Sequence, residues 1–467
     1  MSRESSEVYE FGEFRLDVGE RKVERRDGSR NGSLPEKSFQ TLVHLVRNNG
    51  SLVPKEELLA AVWPDTIVEE NNLGKAIHSI RNFFGEGSGK HEYVETVPKH
   101  GYRFVAAVTT VSGPSRSNDG NSASRSRNSK TVPIRSQAYD LYLRGKLKAG
   151  SENREDTDAA IKILEAAIAI DPNLAGAYAQ LARAYNTLAF KFSSNSDARL
   201  YLENAEVAIL KALALDPDLA EAHFARGLIL WTKSKGFPHE QAIRSYQRSL
   251  ALDPDSDETH HQLSMVYSHI GLLDEAQVTV HRALEINPNN TMARFRVGVY
   301  TAYQGKFDDA IAVFKTIPRD VSPILVDRCT AEALVQSGNL TKAERIVDQY
   351  LDMTPRDEGG SFTSVKAVLL AKAGVEAKAE EAINRAAEIG QGFGHFHHTA
   401  HNIASALAAM NKPDQAVEWL ERAADDGFPN HTYFQMDPNL DPIRRHPAFV
   451  KLMSRLQKQL ERFKALV

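Results

Sequence analysis

Residues 52–85 read LVPKEELLAAVWPDTIVEENNLGKAIHSIRNFFG, and residues 93–104 read YVETVPKHGYRF. In the first stretch apolar residues recur at helical spacing, and Pro54 stands at a position where helices commonly begin. In the second stretch two short apolar runs flank Pro98-Lys99-His100-Gly101, which is typical of a tight turn. The two stretches therefore predict a pair of helices followed by a β-hairpin.

The residues before this stretch extend the same domain. Residues 8–27 alternate between apolar and polar side chains with turns near Gly12 and Gly19, which predicts short strands. Helical spacing then begins near Glu36 and ends at Asn49-Gly50. We predict that residues 1–110 form a helix-turn-helix with a hairpin wing, a scaffold whose third helix can enter the major groove of DNA.

The third helix, expected from about Glu69 to Phe84, has two distinct faces. Leu73, Ile77, Ile80 and Phe84 form one apolar stripe that should face the core. The opposite face is polar or basic, and the turn of the wing is basic as well. Asn can pair with adenine and Lys with guanine or phosphate. The candidate DNA-reading residues are Asn71, Lys75, His78 and Asn82, flanked by Asn72, Ser79 and Arg81, with Lys99 and His100 on the wing.

A simpler interpretation of this face is an ordinary solvated helix surface, and of the wing a plain hairpin turn. The charge of the domain favours that interpretation, because residues 1–110 carry 15 Lys and Arg against 17 Asp and Glu, a net charge of −2. Phosphate neutralisation supplies most non-specific affinity for DNA. Only a local basic surface, or pairing of two chains on DNA, would then give tight binding.

Residues 8–107 resemble the winged-helix DNA-binding domain of the OmpR/PhoB type, which is found in response regulators and in ToxR/CadC-like regulators. The resemblance is carried by FGEFRLD, KEELLAAVWPD, the apolar stripe of the third helix and YVETVPKHGYRFVA. It implies that the third helix enters the major groove and the hairpin the minor groove. The contacts it implies are Asn71, Asn72, Lys75, His78, Ser79 and Arg81, with Thr96 and Tyr102 on the DNA backbone. The chain departs from the family at Asn71, His78 and Ser79, where arginines are common.

Residues 111–135 are rich in Ser, Asn and Arg, lack a hydrophobic period, and are expected to form a flexible linker. After them the chain repeats itself. The phrases AAIAIDPN, KALALDPD, RSLALDPD and RALEINPN place prolines at 172, 217, 254 and 288. A small residue precedes each proline by twelve, namely Ala160, Ala205, Ala242 and Ala276. This pattern resembles the tetratricopeptide repeat, a helix pair of about 34 residues.

The repeat predicts an all-α solenoid over residues 136–467, with about eight repeats and a C-terminal capping helix. The expected fold is thus mainly α, with an α+β winged helix-turn-helix before the array. The 45-residue interval between the first two prolines predicts an extra loop near residues 190–197.

In this repeat family the first helix of each pair lines a concave groove that could seat a peptide or an amphipathic helix. Counting from the prolines, the groove would include Phe224, Leu228, Trp231, His261, Met265, Phe295 and Val299. Packing between repeats is the alternative explanation for these apolar residues, and the sequence does not separate the two.

The sequence gives little support for a metal site, a cofactor site or a catalytic site. His397 and His401 are four residues apart on one predicted helix, and this spacing can chelate a metal ion. No carboxylate or thiol nearby in the sequence completes a ligand set. We therefore predict no metal site. No phosphate loop, dinucleotide fingerprint or nucleophile elbow is present, and we expect no cofactor and no enzymatic activity. The single cysteine, Cys329, excludes an intramolecular disulfide.

Together these features predict a bacterial transcription regulator. Residues 1–110 would bind double-stranded DNA and the array a protein or peptide that controls activity. With no receiver domain before Val8 and no membrane span after the linker, the arrangement resembles soluble regulators of the HilA type and predicts a cytoplasmic protein. The alternatives are an interaction scaffold whose winged helix has lost DNA binding and, with least support, an enzyme that uses the histidine cluster.

Overall fold

The computed structural model divides the chain into two compact units, residues 1–127 and 128–467, and each is described by itself. The structure describes residues 7–27, 34–50, 52–63, 70–85, 93–97, 101–110, 134–151, 153–192, 195–319, 322–354 and 356–467. Most of the predicted linker, residues 111–133, lies outside these ranges. No helix in the described ranges is both long enough and apolar enough to cross a membrane.

The N-terminal unit contains two small antiparallel sheets. The first has the order β3-β2-β1-β7 and the second the order β4-β6-β5. The strands are β1 (Val8–Phe11), β2 (Phe14–Asp17), β3 (Lys22–Arg25), β4 (Leu52–Pro54), β5 (Val94–Val97), β6 (Gly101–Phe104) and β7 (Val108–Thr110). The predicted hairpin is β5 and β6, in which Thr96 lies opposite Tyr102. Strand β4 was not predicted, because its three residues are too few to show a period.

Three helices pack between these sheets: α1 (Glu36–Arg47), α2 (Lys55–Val62) and α3 (Glu70–Phe84). Their apolar faces meet aromatic residues of the strands, and the ring of Phe84 packs at a tilt against Phe14 with ring centroids 4.7 Å apart. Leu73, Ile77, Ile80 and Phe84 are all buried, at 0–5% exposure. The predicted core stripe of the third helix is therefore confirmed.

The second unit is an array of antiparallel helix pairs. Eight pairs run from α4 to α19, and α20 and the amphipathic helix α21 follow them. The helices are α4 (Ile134–Ala149), α5 (Arg154–Ile170), α6 (Ala175–Lys191), α7 (Asn195–Leu215), α8 (Ala220–Leu230), α9 (His239–Leu252), α10 (Asp257–His269), α11 (Leu273–Ile286), α12 (Thr291–Tyr303), α13 (Phe307–Phe314), α14 (Pro323–Gln336), α15 (Leu340–Met353), α16 (Ser361–Lys372), α17 (Glu376–Ile389), α18 (Phe396–Ala409), α19 (Pro413–Asp425), α20 (His431–Met436) and α21 (Pro447–Lys464).

Small residues let the helices of each pair approach closely. Ala160, Ala205, Ala242 and Ala276 are completely buried. A Cβ atom at Gly227 would lie 2.4 Å from the ring of Tyr246, so the glycine on α8 makes room for the aromatic residue on α9. The repeat pattern thus encodes complementary surfaces within each pair.

One prediction about the array was wrong. The long first interval was expected to hold an extra loop near residues 190–197, but α6 continues to Lys191 and α7 begins at Asn195. The additional residues instead lengthen α6 to 17 residues and α7 to 21. Longer helices bury more apolar surface and keep their backbone groups hydrogen-bonded, whereas an inserted loop would do neither.

The C-terminal part of the array packs back on earlier repeats. Asn430, which caps α20, donates a hydrogen bond of 2.6 Å from Nδ2 to the carbonyl oxygen of Ser268 at the end of α10. Nearby, the hydroxyl of Thr432 donates to the carbonyl oxygen of Gly271 at 2.8 Å. Residues that follow the last repeat therefore contact residues from the middle of the array.

Candidate nucleic-acid interface

The polar face of α3 lies opposite its buried stripe. Lys75, His78 and Asn82 are exposed, and Asn72 and Ser79 are half-buried. The Nδ2 atom of Asn82 lies 3.0 Å from Nε2 of His78, so one hydrogen bond links two of the exposed side chains. The described helix thus presents amide, imidazole and ammonium groups on one accessible surface.

Several cations of the N-terminal unit are paired with carboxylates, but Lys75 is not. Arg47 pairs with Glu7 at 2.7 Å, Arg103 with Glu95 at 3.1 Å, and other described arginines also contact carboxylates. Among the described residues, neither Lys75 nor the exposed Arg15 has a carboxylate partner. An overall charge of −2 therefore does not prevent a local cationic position on α3.

Arg81 and Thr96 are bonded to each other in the structure. The Arg81 guanidinium donates to the carbonyl oxygen of Val94 at 2.8 Å and to the hydroxyl of Thr96 at 2.7 Å. These bonds join the end of α3 to the first strand of the hairpin. In this arrangement the two half-buried side chains fix the wing against the helix, and their contact with DNA stays a prediction.

Tyr102 was also predicted as a contact to the DNA backbone. Its side chain is buried at 9% exposure and belongs to the core of the N-terminal unit. On β6 it lies opposite Val53 on one side and Thr96 on the other. Because the strand alternates its faces, Tyr102 is directed to the core. The side chain of Asn71, together with residues 98–100 and hence Lys99 and His100, lies outside the described residues.

The predicted partner groove does not form an open surface at the residues proposed for it. Its side chains are mostly buried in the continuous core of the array, and only Leu228 and His261 are half-exposed. The buried members are Phe224, Trp231, Met265, Phe295 and Val299. Packing between repeats, the alternative left open by the sequence, accounts for these five residues.

The histidines at 395–401 are divided between two environments. His401 lies against Asp437, with Nε2 3.0 Å from the carboxylate oxygen Oδ2. His397 instead joins His395, His398 and His269, and one ring nitrogen from each of these four residues lies within 4.8 Å of the others. The pair whose spacing can chelate, His397 and His401, is therefore not the group that the fold brings together. His269 was missed, because it comes from a different helix.

Two family models match the chain in the places that the fold suggests. Residues 29–104 match the model "Transcriptional regulatory protein, C terminal", and residues 257–290 match a tetratricopeptide-repeat model. The first match covers the three helices and the hairpin of the N-terminal unit. The chain therefore carries a DNA-binding domain of the OmpR/PhoB type followed by tetratricopeptide repeats, and neither matched family is a catalytic one.

Among curated proteins, the transcriptional regulator HilA of Salmonella typhimurium is 38% identical over 82 residues. The match covers 18% of this chain and 15% of HilA, so the chain spans only a small part of the length of that relative. The HilA proteins of Salmonella typhi and Salmonella paratyphi A match to the same extent.

Two solved structures are similar to parts of the chain. A thermophilic tetratricopeptide-repeat protein of Thermus thermophilus is 28% identical, with 35% of this chain and 81% of that chain covered and a TM-score of 0.30. The DNA-binding domain of E. coli CadC is 22% identical, with 23% of this chain and all of that chain covered and a TM-score of 0.21.

Proposed function

We propose that the protein is a transcription regulator that binds double-stranded DNA through the exposed face of α3. The observation that carries the proposal is the position of Lys75, exposed and without a carboxylate partner in the described ranges, between Asn72 and His78 on the face opposite the buried stripe. The match of residues 29–104 to a regulatory-protein family supports it. Such a protein acts where the DNA is, so we also propose a cytoplasmic location.

In this proposal the contacts divide into two groups. Lys75 contacts phosphate or guanine, while Asn72, His78, Ser79 and Asn82 offer donors and acceptors to base edges. Arg81, Thr96 and Tyr102 hold the hairpin in place against α3. Lys99 and His100, at the turn of the wing, remain candidate minor-groove contacts on the strength of the sequence.

The experiment is a binding measurement with the full chain. Genome-wide mapping supplies bound fragments, and fluorescence anisotropy then measures affinity at several salt concentrations. Lys75→Ala should weaken binding and lower the salt slope by about one, as expected for the loss of one phosphate contact. Lys22→Ala, an exposed cation on β3, is the matched control and should leave affinity nearly unchanged.

The rival proposal is a scaffold whose winged helix no longer binds DNA. The fixed position of Arg81 favours it, because the guanidinium that could have contacted DNA is bound to the hairpin. If the full chain binds no fragment of its own genome even at low salt, the regulator proposal fails and the scaffold remains. If Lys75→Ala binds as tightly as the unchanged protein, the assignment of the α3 face is wrong.

We also propose that the array binds a protein or peptide partner that sets the activity of the DNA-binding domain. The tetratricopeptide-repeat match supports this role in general terms. Because the predicted groove residues are mostly buried, a partner must use other surfaces of the array. Mapping of bound DNA with and without residues 134–467 tests whether the array changes where or how tightly the protein binds.

A further inference from the structure

Four histidines from two distant segments meet inside the array. His269 is the last residue of α10, His395 immediately precedes α18, and His397 and His398 lie in its first turn. One nitrogen from each ring lies within 4.8 Å of the others. His269 and His397 are buried at 3% and 0% exposure, whereas His395 and His398 are half-buried.

We propose that these four imidazoles form a binding site for one divalent transition-metal ion of the zinc class. Neutral imidazole is a common ligand of zinc, copper and nickel. In a tetrahedral zinc site with bonds of about 2.0–2.1 Å, neighbouring nitrogens are about 3.3–3.4 Å apart. Nδ1 of His395 and Nε2 of His397 are already 3.3 Å apart. The remaining pairs lie within 4.8 Å and would have to approach by at most about 1.5 Å to reach this separation.

Backbone carbonyls fix the rings of two histidines in the orientation that a metal needs. Nδ1 of His269 lies 2.8 Å from the carbonyl oxygen of Met265, and Nδ1 of His397 lies 2.8 Å from that of Asp426. A carbonyl oxygen can only accept a hydrogen bond, so each Nδ1 carries the proton and each Nε2 offers a lone pair. This arrangement is the usual outer support of a metal-bound histidine.

The lone pair of His269 has no other use in the fold. Its Nε2 is buried and has no hydrogen-bond partner among the described residues. Buried polar atoms are normally paired, because desolvation without a hydrogen bond is unfavourable. A metal ion shared with the three other rings would satisfy this nitrogen.

The surroundings keep the rings neutral. Burial lowers the pKa of His395 to about 3, and it lowers the pKa of His269, His397 and His398 well below the ordinary value. The positive charges of Arg296 and Arg328 also lower the pKa of His395, and they would repel a metal ion. The charge of Arg328 is partly offset, because its guanidinium pairs with Glu332 at 2.7 Å.

A carboxylate and several aromatic rings complete the environment. The Oδ2 atom of Asp426 lies 3.9 Å from Nδ1 of His397, and the same carboxylate is paired with Lys233 at 3.4 Å. Trp231 packs edge-on to His269 with ring centroids 4.8 Å apart, and Phe428 lies 5.3 Å from the same ring. These rings exclude water on one side, while the half-buried His395 and His398 leave a route from the surface.

The consequence of metal binding would be structural. The ion would join the end of α10 to the start of α18, two helices that belong to different repeats. Since it binds the folded array and not the separated segments, it should raise the melting temperature of the array.

The test uses the full chain without a histidine tag, stripped of metal with a chelator. Calorimetric titration with ZnSO₄ should show one ion per chain, and Co²⁺ should give the intense visible bands of tetrahedral coordination. His269→Gln and His398→Gln should each weaken Zn²⁺ binding about tenfold or more, since even loss of an outer support costs 10–100-fold. His261→Gln, on the same helix as His269 but outside the cluster, should bind Zn²⁺ like the unchanged chain.

Thermal unfolding in chelator shows whether each variant folds. If His269→Gln does not fold, the half-buried His398→Gln decides the question. The proposal is overturned if the unchanged chain binds no Zn²⁺, or if a folded cluster variant binds Zn²⁺ as tightly as the unchanged chain.

Discussion

Arg81 shows that the position of a residue on a helix does not reveal its partners within the fold. It lies near the polar face of α3, where a guanidinium suggests contact with phosphate, yet its hydrogen bonds go to Val94 and Thr96 on the hairpin. A helical wheel shows which face a residue occupies but not which neighbour folds against it. These hydrogen bonds connect α3 to the hairpin of β5 and β6. Arg81 therefore fixes the position of the two elements that are proposed to contact DNA.

We predict that Arg81→Met lowers the free energy of unfolding of the N-terminal unit by about 1.5–3 kcal/mol, because hydrogen bonds to a charged donor are lost. Methionine keeps the unbranched stem but removes the donors. Denaturant unfolding followed by circular dichroism measures the change. Lys75→Met, on the exposed face of the same helix, is the control and should have little effect. Equal stability of the two variants would show that Arg81 does not fix the hairpin.

The element that depends most on close backbone contact is the hairpin strand β6. Its first residue, Gly101, lies opposite Pro54 of β4. A Cβ atom at Gly101 would lie 2.0 Å from the carbonyl oxygen of Val53, closer than any real contact. The three-residue strand β4 therefore pairs with the hairpin only because residue 101 has no side chain.

We predict that Gly101→Ala destabilises the N-terminal unit by about 1–3 kcal/mol, the usual cost of forcing atoms into a packed site. Gly74→Ala on α3 is the matched control, because a Cβ atom there meets nothing within 4 Å. In a helix interior that change should stabilise by about 0.4–1 kcal/mol. Chemical denaturation of both variants provides the comparison, and a stabilised Gly101→Ala protein would contradict the geometry.

The sequence predicts helices and strands correctly where their hydrophobic period is visible within a short stretch of residues. The stripe from Leu73 to Phe84, the hairpin and the proline-punctuated repeats all follow from periods that a short window reveals. Strand β4 is too short for such a signal. The roles of Arg81 and Tyr102 depend on which strand lies opposite them, and that pairing is not a local property of the sequence.

At the scale of the whole array, the apolar residues assigned to a groove serve another purpose. Met265 and Phe295 belong to one continuous core that also includes Phe428 and Phe434 from the C-terminal segment. Repeat counting describes each pair of helices correctly but does not indicate that later residues return to earlier repeats. The same return brings His269 to the cluster of histidines that precedes and begins α18.

We predict that Asn430 is a principal polar link in this return. Its Nδ2 atom donates to the carbonyl oxygen of Ser268, and its Oδ1 atom accepts from the backbone N–H of Tyr433 at 3.0 Å, all in a completely buried position. Asn430→Ala leaves the N–H of Tyr433 without this acceptor, at a cost of about 1–3 kcal/mol for a buried group left unpaired. The carbonyl oxygen of Ser268 keeps the N–H of Gly271 as a donor at 3.4 Å.

Hydrogen exchange of the full chain is the decisive measurement, because a shared link predicts that two distant segments lose protection together. Exchange should accelerate both around the end of α10 and along α20 in Asn430→Ala. Asn289→Ala, at an exposed turn between α11 and α12, should leave both segments unchanged. Faster exchange confined to α20 would mean that Asn430 only caps its own helix, and that the middle of the array keeps its structure without the C-terminal segment.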